Sequence, residues 1–379
     1  MGRNARLVYD DSERNADLYY LTGFLAGDPF LYLSDDGKSS LFLSDLEVDR
    51  AKQQSQVDEV VRTAELKEAF ENSGATLSED ATQRTAQLIG VVAKERGLSG
   101  FEVPASFPVS LADALRGNGL GVTWVSGPFV PERVVKTPDE IASIRRAIEH
   151  TEAAITAAIE QLRAADVRDG VLHENGAPLT AEAVRFTINR ELLDRGCVGY
   201  DSIVAGGEHA VDPHDRGSGP LDTDRPIILD VFPRDLASRF HGDMTRTVVK
   251  GRASDEVKRM FDAVKAAKDG AEAALCDGVD GWDVHAGVVK TFEDAGFVTE
   301  KRDGRMVGFF HGTGHGLGLD VHEAPRLGKA HDIMRAGHVV TVEPGLYYPG
   351  VGGMRLEDDV VITKDGCENL CTLGYELEI

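Results

Sequence analysis

A chain of 379 residues, 42% of them hydrophobic, is long enough for two domains with full-sized cores. Its formal net charge of -23 repels phosphate backbones and argues against nucleic acid as a partner. No apolar run approaches a membrane span and the N-terminus carries no signal-like stretch, so a soluble cytoplasmic protein with no membrane contact is expected.

The acidity is dispersed along the chain and arginine exceeds lysine, a pattern that fits a salt-rich cytoplasm, where carboxylates keep water on the surface. The four cysteines are Cys197, Cys276, Cys367 and Cys371. The last two are spaced C-x-x-x-C, but no second pair completes a zinc site. Reduced thiols without a functional role are expected.

Residues 1–133 read as a small α/β domain. The run Leu18-Tyr19-Tyr20-Leu21-Thr22-Gly23-Phe24 is an aromatic-rich strand candidate closed by glycine. Phe30–Leu33 and Leu41–Leu43 flank an Asp-Asp-Gly turn and predict a hairpin. Leu46–Gln54 and Ser78–Arg96 read as helices, the second stopped by Gly97, and a strand follows at Gly100–Val103. None of this carries a chemical constellation.

Pro128, Pro131 and Pro138 punctuate the boundary, placed near Val134, so the second domain runs over 134–379. Thr137 caps a long helix, with Pro138 in its first turn and Glu140 three residues on. Ile141, Ile144, Ile148, Ile155 and Ile159 mark its core face. Thr180–Arg195 is a second helix stopped by Gly196. Strands are predicted at Pro226–Asp230 and Gly242–Val249, and two helices at about Ser254–Cys276 and Trp282–Ala295. Two further strands follow, Val339–Gly345 and Met354–Ile362.

Between the last helix and the last two strands lies His311-Gly312-Thr313-Gly314-His315-Gly316-Leu317-Gly318-Leu319-Asp320-Val321-His322. Imidazole is the commonest metal ligand, and glycine lets backbone approach a ligand closely. No G-x-G-x-x-G forms, because Leu317 falls where the third glycine is needed, so a dinucleotide site is excluded.

Asp230, Asp243, Glu343 and Glu357 each sit at or beside the end of an apolar strand, where an unpaired carboxylate is costly to bury. The basic neighbours able to offset them are Arg246 and Arg355. A pair of divalent cations would do so better, and an oxygen-rich set with one imidazole suits Mn, Co, Fe or Zn. Strands carrying Asp230 and Asp243 can pair as a hairpin, which brings cross-strand neighbours to about 5 Å. Pro344 biases Glu343 toward extended backbone. Asp358 and Asp359 read as solvated or as supports of the ligands.

The order Asp, Asp, His, Glu, Glu resembles the metal-binding pattern of the M24 metallopeptidases. The pieces that match are Ile228-Leu229-Asp230, Gly242-Asp243-Met244-Thr245-Arg246-Thr247, Gly314-His315-Gly316-Leu317-Gly318, Val342-Glu343-Pro344-Gly345 and Arg355-Leu356-Glu357-Asp358. Tyr20–Phe24 and the helix after Lys136-Thr137-Pro138 resemble the creatinase/prolidase branch. The resemblance covers nearly the whole chain. It implies an α/β (α+β) fold, with a creatinase/prolidase-like domain at 1–133 and a pita-bread catalytic domain at 134–379. One departure is visible. Asp230 and Asp243 are thirteen positions apart (243 minus 230), a longer spacing than is usual in the family. A longer turn from Pro233 to Gly242 accounts for it, with Asp235 in that turn as a rival ligand.

The resemblance assigns Asp230 to one metal, His315 with Glu343 to the other, and Asp243 and Glu357 to both. Manganese is foremost, with Co, Zn or Fe as alternatives. Such a metal pair activates water and polarises a carbonyl. Glu343 would shuttle the proton. His214 and His322 would flank the scissile peptide, His311 would line the pocket, and Arg355 would orient a carboxylate. His209, His241, His331 and His338 are expected at the surface or at helix ends.

An N-terminal domain together with a complete metal set implies a peptide substrate cleaved before proline, by an Xaa-Pro aminopeptidase or an Xaa-Pro dipeptidase, in a homodimer. The alternatives are an aminopeptidase of broader specificity and a pita-bread binding protein without activity. The second predicts missing ligands, and none is missing.

Overall fold

The computed structural model describes residues 3–199 and 201–379. The chain divides into two compact units, Met1–Arg133 and Val134–Ile379.

The first unit is a six-stranded sheet with helices on both faces. Its strands are β1 (Arg3–Asp10), β2 (Phe30–Asp35), β3 (Lys38–Leu43), β4 (Glu59–Arg62), β5 (Leu98–Val103) and β6 (Gly121–Trp124), in the order β4-β3-β2-β1-β5-β6. Side chains alternate across β1. Leu7 joins a core with Ile89, Phe101 and Leu111, while Val8 joins one with Leu18, Phe24 and Leu41. Both faces are therefore dry, as the apolar runs require.

The hairpin expected around Asp35-Asp36-Gly37 forms, with Asp35 opposite Lys38. The strand expected at Leu18–Phe24 does not form, because Ala16–Thr22 is a helix. Asn15 caps it by accepting from the Leu18 N–H, and Gly23 ends it at φ 60°. Local capping at both ends and burial of Leu18 outweigh the β preference of two tyrosines.

In the second unit, α1 (Pro138–Ala164) begins with the expected capping box between Thr137 and Glu140. It packs with α2 (Ala181–Asp194) over a three-stranded antiparallel sheet. Those strands are β7 (Ile203–Gly206), β8 (Pro226–Val231) and β9 (Met244–Val249). Ile227, Leu229 and Val231 of β8 face the two helices. The alternate residues Ile228 and Asp230 must face the other way, and Ile228 packs against Ile203, Ala205 and Tyr347.

Helices α3 (Asp255–Ala274) and α4 (Gly281–Asp294) cover a second core. Beneath them lie a five-stranded sheet and a two-stranded ribbon. The sheet includes β10 (Gly314–Gly316), β11 (Val339–Val342) and β14 (Asp358–Ile362), and the ribbon is β12 (Gly345–Tyr348) with β13 (Gly352–Arg355). The single strand expected over Met354–Ile362 is thus two strands, and Glu357 lies in the break between them. Among the described residues no helix is long and apolar enough to cross a membrane.

Candidate active site

Asp230 and Asp243 are delivered by one hairpin. β8 and β9 pair antiparallel with Asp230 opposite Thr245, so Asp243 sits just beyond the last pair, Val231 and Met244. His315 is central in β10, which pairs with β11 through Gly316 and Val340. Glu343 falls between β11 and β12, and Glu357 between β13 and β14. Glu343 lies in the gap between two strands and Glu357 makes only an isolated bridge to Thr245, so both stand outside the continuous ladders.

One cavity of about 440 Å³ receives them all. Asp230, Asp243, His315, Glu343 and Glu357 line it, as do His214, His311, His322 and Arg355. Asp243, His315 and Glu357 each offer a ligand atom within 4.8 Å of the others. His315 Nε2 is 3.8 Å from Asp243 Oδ2 and 3.5 Å from Glu343 Oε1. Its Nδ1 lies 3.2 Å from the Gly316 carbonyl, which fixes Nδ1 as the protonated nitrogen and leaves the Nε2 lone pair toward the carboxylates. His214 and His322 are exposed, at the mouth, and the His322 ring stands edge-on to His315 at 4.3 Å. Asp235 does not line the cavity.

Arg355 is the cation that orders this site. It donates to Asp230 Oδ2 at 2.6 Å, to the Tyr347 hydroxyl at 2.8 Å and to Thr245 Oγ1 at 3.2 Å. Thr245 in turn donates to Glu357 Oε2 at 2.6 Å. Tyr347 lies 3.0 Å from His311 Nε2, so a continuous hydrogen-bonded chain links two carboxylates to an imidazole. Nothing in the sequence marked Thr245 or Tyr347. The Thr245 signal, one residue two positions after a candidate ligand on a strand, becomes visible only by strand parity.

Of the two readings of Asp358 and Asp359 the structure favours support over solvation, since both are buried. Asp358 pairs with Arg246 at 2.8 Å and Lys268 at 2.6 Å, while Asp359 accepts from the Asp243 N–H at 2.9 Å and so holds the ligand strand. Arg246 consequently faces Asp358, not the cavity carboxylates. His338 is also buried, where a surface or helix-end position was expected, and its Nδ1 accepts from the Arg335 N–H.

The electrostatics are those of a cage whose carboxylates outnumber its one buried cation, Arg355. Burial raises the carboxyls of Asp243 and Glu357 well above the carboxylate range, and the neighbouring carboxylates push them further. Burial lifts Glu343 to about 7, against the pull of Arg355. It depresses His315 and His311 to about 3 each, so both imidazoles are neutral and able to ligate or donate. Asp230 Oδ1 is buried with no hydrogen-bond partner. That orphaned oxygen, a free imidazole lone pair and three more carboxylates form a donor set that divalent cations fit.

Mixed sheets under helical layers, with acidic side chains turned onto a histidine, make a candidate centre for divalent cations. The chain belongs to metallopeptidase family M24, whose family model matches residues 142–364. The creatinase/prolidase N-terminal domain model matches residues 7–130. An uncharacterized peptidase of Staphylococcus aureus is 27% identical over 361 residues, 93% of this chain and 92% of that protein. The Xaa-Pro dipeptidase of Pyrococcus furiosus is 24% identical over 363 residues, 95% of this chain and 92% of that protein. Among solved structures, an Xaa-Pro dipeptidase from Bacillus anthracis superposes with a TM-score of 0.80 at 24% identity, covering 100% of this chain and 95% of that one. An X-Pro aminopeptidase from Thermotoga maritima gives 0.77 at 24%, covering 100% and 98%. The fold is thus the pita-bread fold preceded by a creatinase/prolidase N-terminal domain, and the protein is a hydrolase.

Proposed function

We propose that this chain is a dinuclear-metal peptidase cutting the bond between an N-terminal residue and a following proline. The observation that carries the reading is the convergence of Asp230, Asp243, His315, Glu343 and Glu357 on one cavity beside four polar residues suited to peptide chemistry. The proline preference is supported by the N-terminal domain and by relatives whose names include Xaa-Pro dipeptidase.

In this reading Asp230, Asp243, His315, Glu343 and Glu357 would hold the cations. Manganese is the favoured metal, with Co, Zn or Fe as alternatives. Bound cations would supply a water acidic enough to react near neutral pH and would polarise the scissile carbonyl. Glu343 would accept the proton of that water and pass it to the leaving nitrogen. His214 and His322, at the mouth, would donate to the substrate carbonyl or the departing amine. His311, held by Tyr347, lines the same wall. Arg355 holds the Asp230 carboxylate in place.

Residues 1–133 would then be the substrate-limiting domain and 134–379 the catalytic one, in a cytoplasmic homodimer. The test is a comparison of Gly-Pro, longer peptides beginning Ala-Pro, and Met-Ala peptides, each with Mn or Co added to metal-stripped protein. Cleavage restricted to proline-containing substrates supports the reading. Equal cleavage of Met-Ala replaces it with a broader aminopeptidase, and no cleavage of any peptide by metal-loaded protein with an inactive binding protein.

A further inference from the structure

The turn between Asp230 and Asp243 carries a second cluster of ligating atoms. Cys197 and Asp235 are directly opposed on a short antiparallel pair, Cys197–Val198 with Arg234–Asp235. His150 of α1 reaches the same point. Its Nδ1 is 3.2 Å from Cys197 Sγ and 3.9 Å from Asp235 Oδ2, and the sulfur is 4.0 Å from that oxygen. Asp235 Oδ1 is taken by the Ser238 N–H and hydroxyl at 2.6 and 2.7 Å. Its Oδ2 is thereby turned toward the thiol and the imidazole. Cys197 and Asp235 are buried, while the His150 side chain is 22% exposed.

We propose that His150, Cys197 and Asp235 form a second, structural site for a borderline-soft divalent cation of the zinc class. Zinc bound to nitrogen and oxygen at roughly 2.0–2.2 Å and to sulfur at roughly 2.3 Å gives tetrahedral edges of about 3.3–3.6 Å. The observed triangle brackets those edges, so closure needs shifts of only a few tenths of an ångström in the Asp235 and His150 side chains. The partial exposure of His150 gives water a route to complete the shell.

A Cys-His-Asp relay does not fit. In a relay the imidazole uses one nitrogen for the nucleophile and the other for the carboxylate. Here the same Nδ1 faces both. Cation binding forms M–S, M–N and M–O bonds and sends the thiol proton to solvent, so thiolate and carboxylate together neutralise the two positive charges. The thiolate also separates this site from the oxygen-rich cavity, which favours harder ions. Once filled, the site would tie α1 to the turn that joins Asp230 to Asp243.

The test uses the full chain, stripped of metal and titrated with Co(II) alone under reducing conditions. A thiolate-to-cobalt charge-transfer band in the near ultraviolet is expected, and the cavity carboxylates and imidazoles cannot produce one. The band should vanish in Cys197→Ser and persist when Cys276→Ser, Cys367→Ser and Cys371→Ser are combined. It should also persist in Asp243→Ala, which separates this proposal from the catalytic reading. Equimolar Zn(II) should bleach it. His150→Gln, at a partly exposed helix position that can tolerate the change, should weaken Co(II) binding on the order of tenfold or more and so tests the site even if Cys197→Ser does not fold. Absence of the band, its survival in Cys197→Ser, or unchanged affinity in His150→Gln overturns the proposal.

Discussion

At the scale of single residues, Thr245 matters as much as the acidic groups around it. Its hydroxyl accepts from Arg355 and donates to Glu357, and it is fully buried. Thr245→Val keeps the shape and removes both bonds. We expect a loss on the order of 10–100-fold in metal affinity with a parallel loss of peptidase activity, measured by metal titration and turnover. Asp243→Ala and Glu357→Ala should abolish activity and bound metal together. Full activity in Asp243→Ala would sink the ligand assignment. Asp230, Asp243, Glu343 and Glu357 were legible as carboxylates at the ends of apolar strands and His315 as an imidazole among glycines, whereas the roles of His214, His311, His322 and Arg355 came only from the resemblance to the family. Thr245 and the true partner of Arg246 were not legible, because their hydrogen-bond partners lie more than a hundred positions away, and Tyr347 was not, because its contacts to Arg355 and His311 depend on how two strands pack.

At the scale of elements, close backbone contact decides where the histidine stands. A Cβ on Gly314 would lie 1.9 Å from the Thr341 carbonyl oxygen, a backbone atom that cannot step aside. The strand carrying His315 can therefore lie against its neighbour only with glycine there. Gly314→Ala should push the strand out, lowering the melting temperature and the metal content together. If crystals of Gly314→Ala showed His315 unmoved, that account would fail. Strand alternation along β8 sends Asp230 away from the helices, a facing that the continuous apolar run before it does not reveal. The helix at Ala16–Thr22 was not readable in advance, because its aromatic residues carry a β preference that Asn15 and Gly23 override. The break at Glu357 was also hidden, because the charged run Arg355-Leu356-Glu357-Asp358-Asp359 is flanked by apolar residues and reads as one strand.

At the scale of the whole molecule, charge and pH set the limits. Sixty-four acidic residues against forty-one basic ones repel one another in low salt. Screening by KCl should raise both melting temperature and activity toward molar concentration, whereas a fall in either would remove the salt-adapted reading. Buried His338 has its pKa depressed from 6.5 to about 4 by burial, with Lys136 and Arg335 adding to it. The unfolded chain therefore takes up the proton first. His338 contributes stability that is complete above about pH 6.5 and lost as the pH falls toward 4. His338→Asn keeps an acceptor for the Arg335 N–H and should flatten the melting-temperature profile over that window. An unchanged slope would place the acid sensitivity elsewhere.

The sequence by itself determined the composition-level limits, the helix caps, the hairpin at Asp36-Gly37 and the candidate acidic and imidazole ligands. Each of those rests on local chemistry: a cap, a turn residue, or a charge at an apolar strand's end. Tertiary structure alone decided that strands spread over more than a hundred residues bring those ligands to one cavity. It also decided that Arg355 rather than Arg246 faces them, and that Asp235 meets His150 and Cys197 instead. The physical reason is that burial and ion pairing depend on which distant segments pack together, and a residue's neighbours in the chain do not specify its neighbours in space.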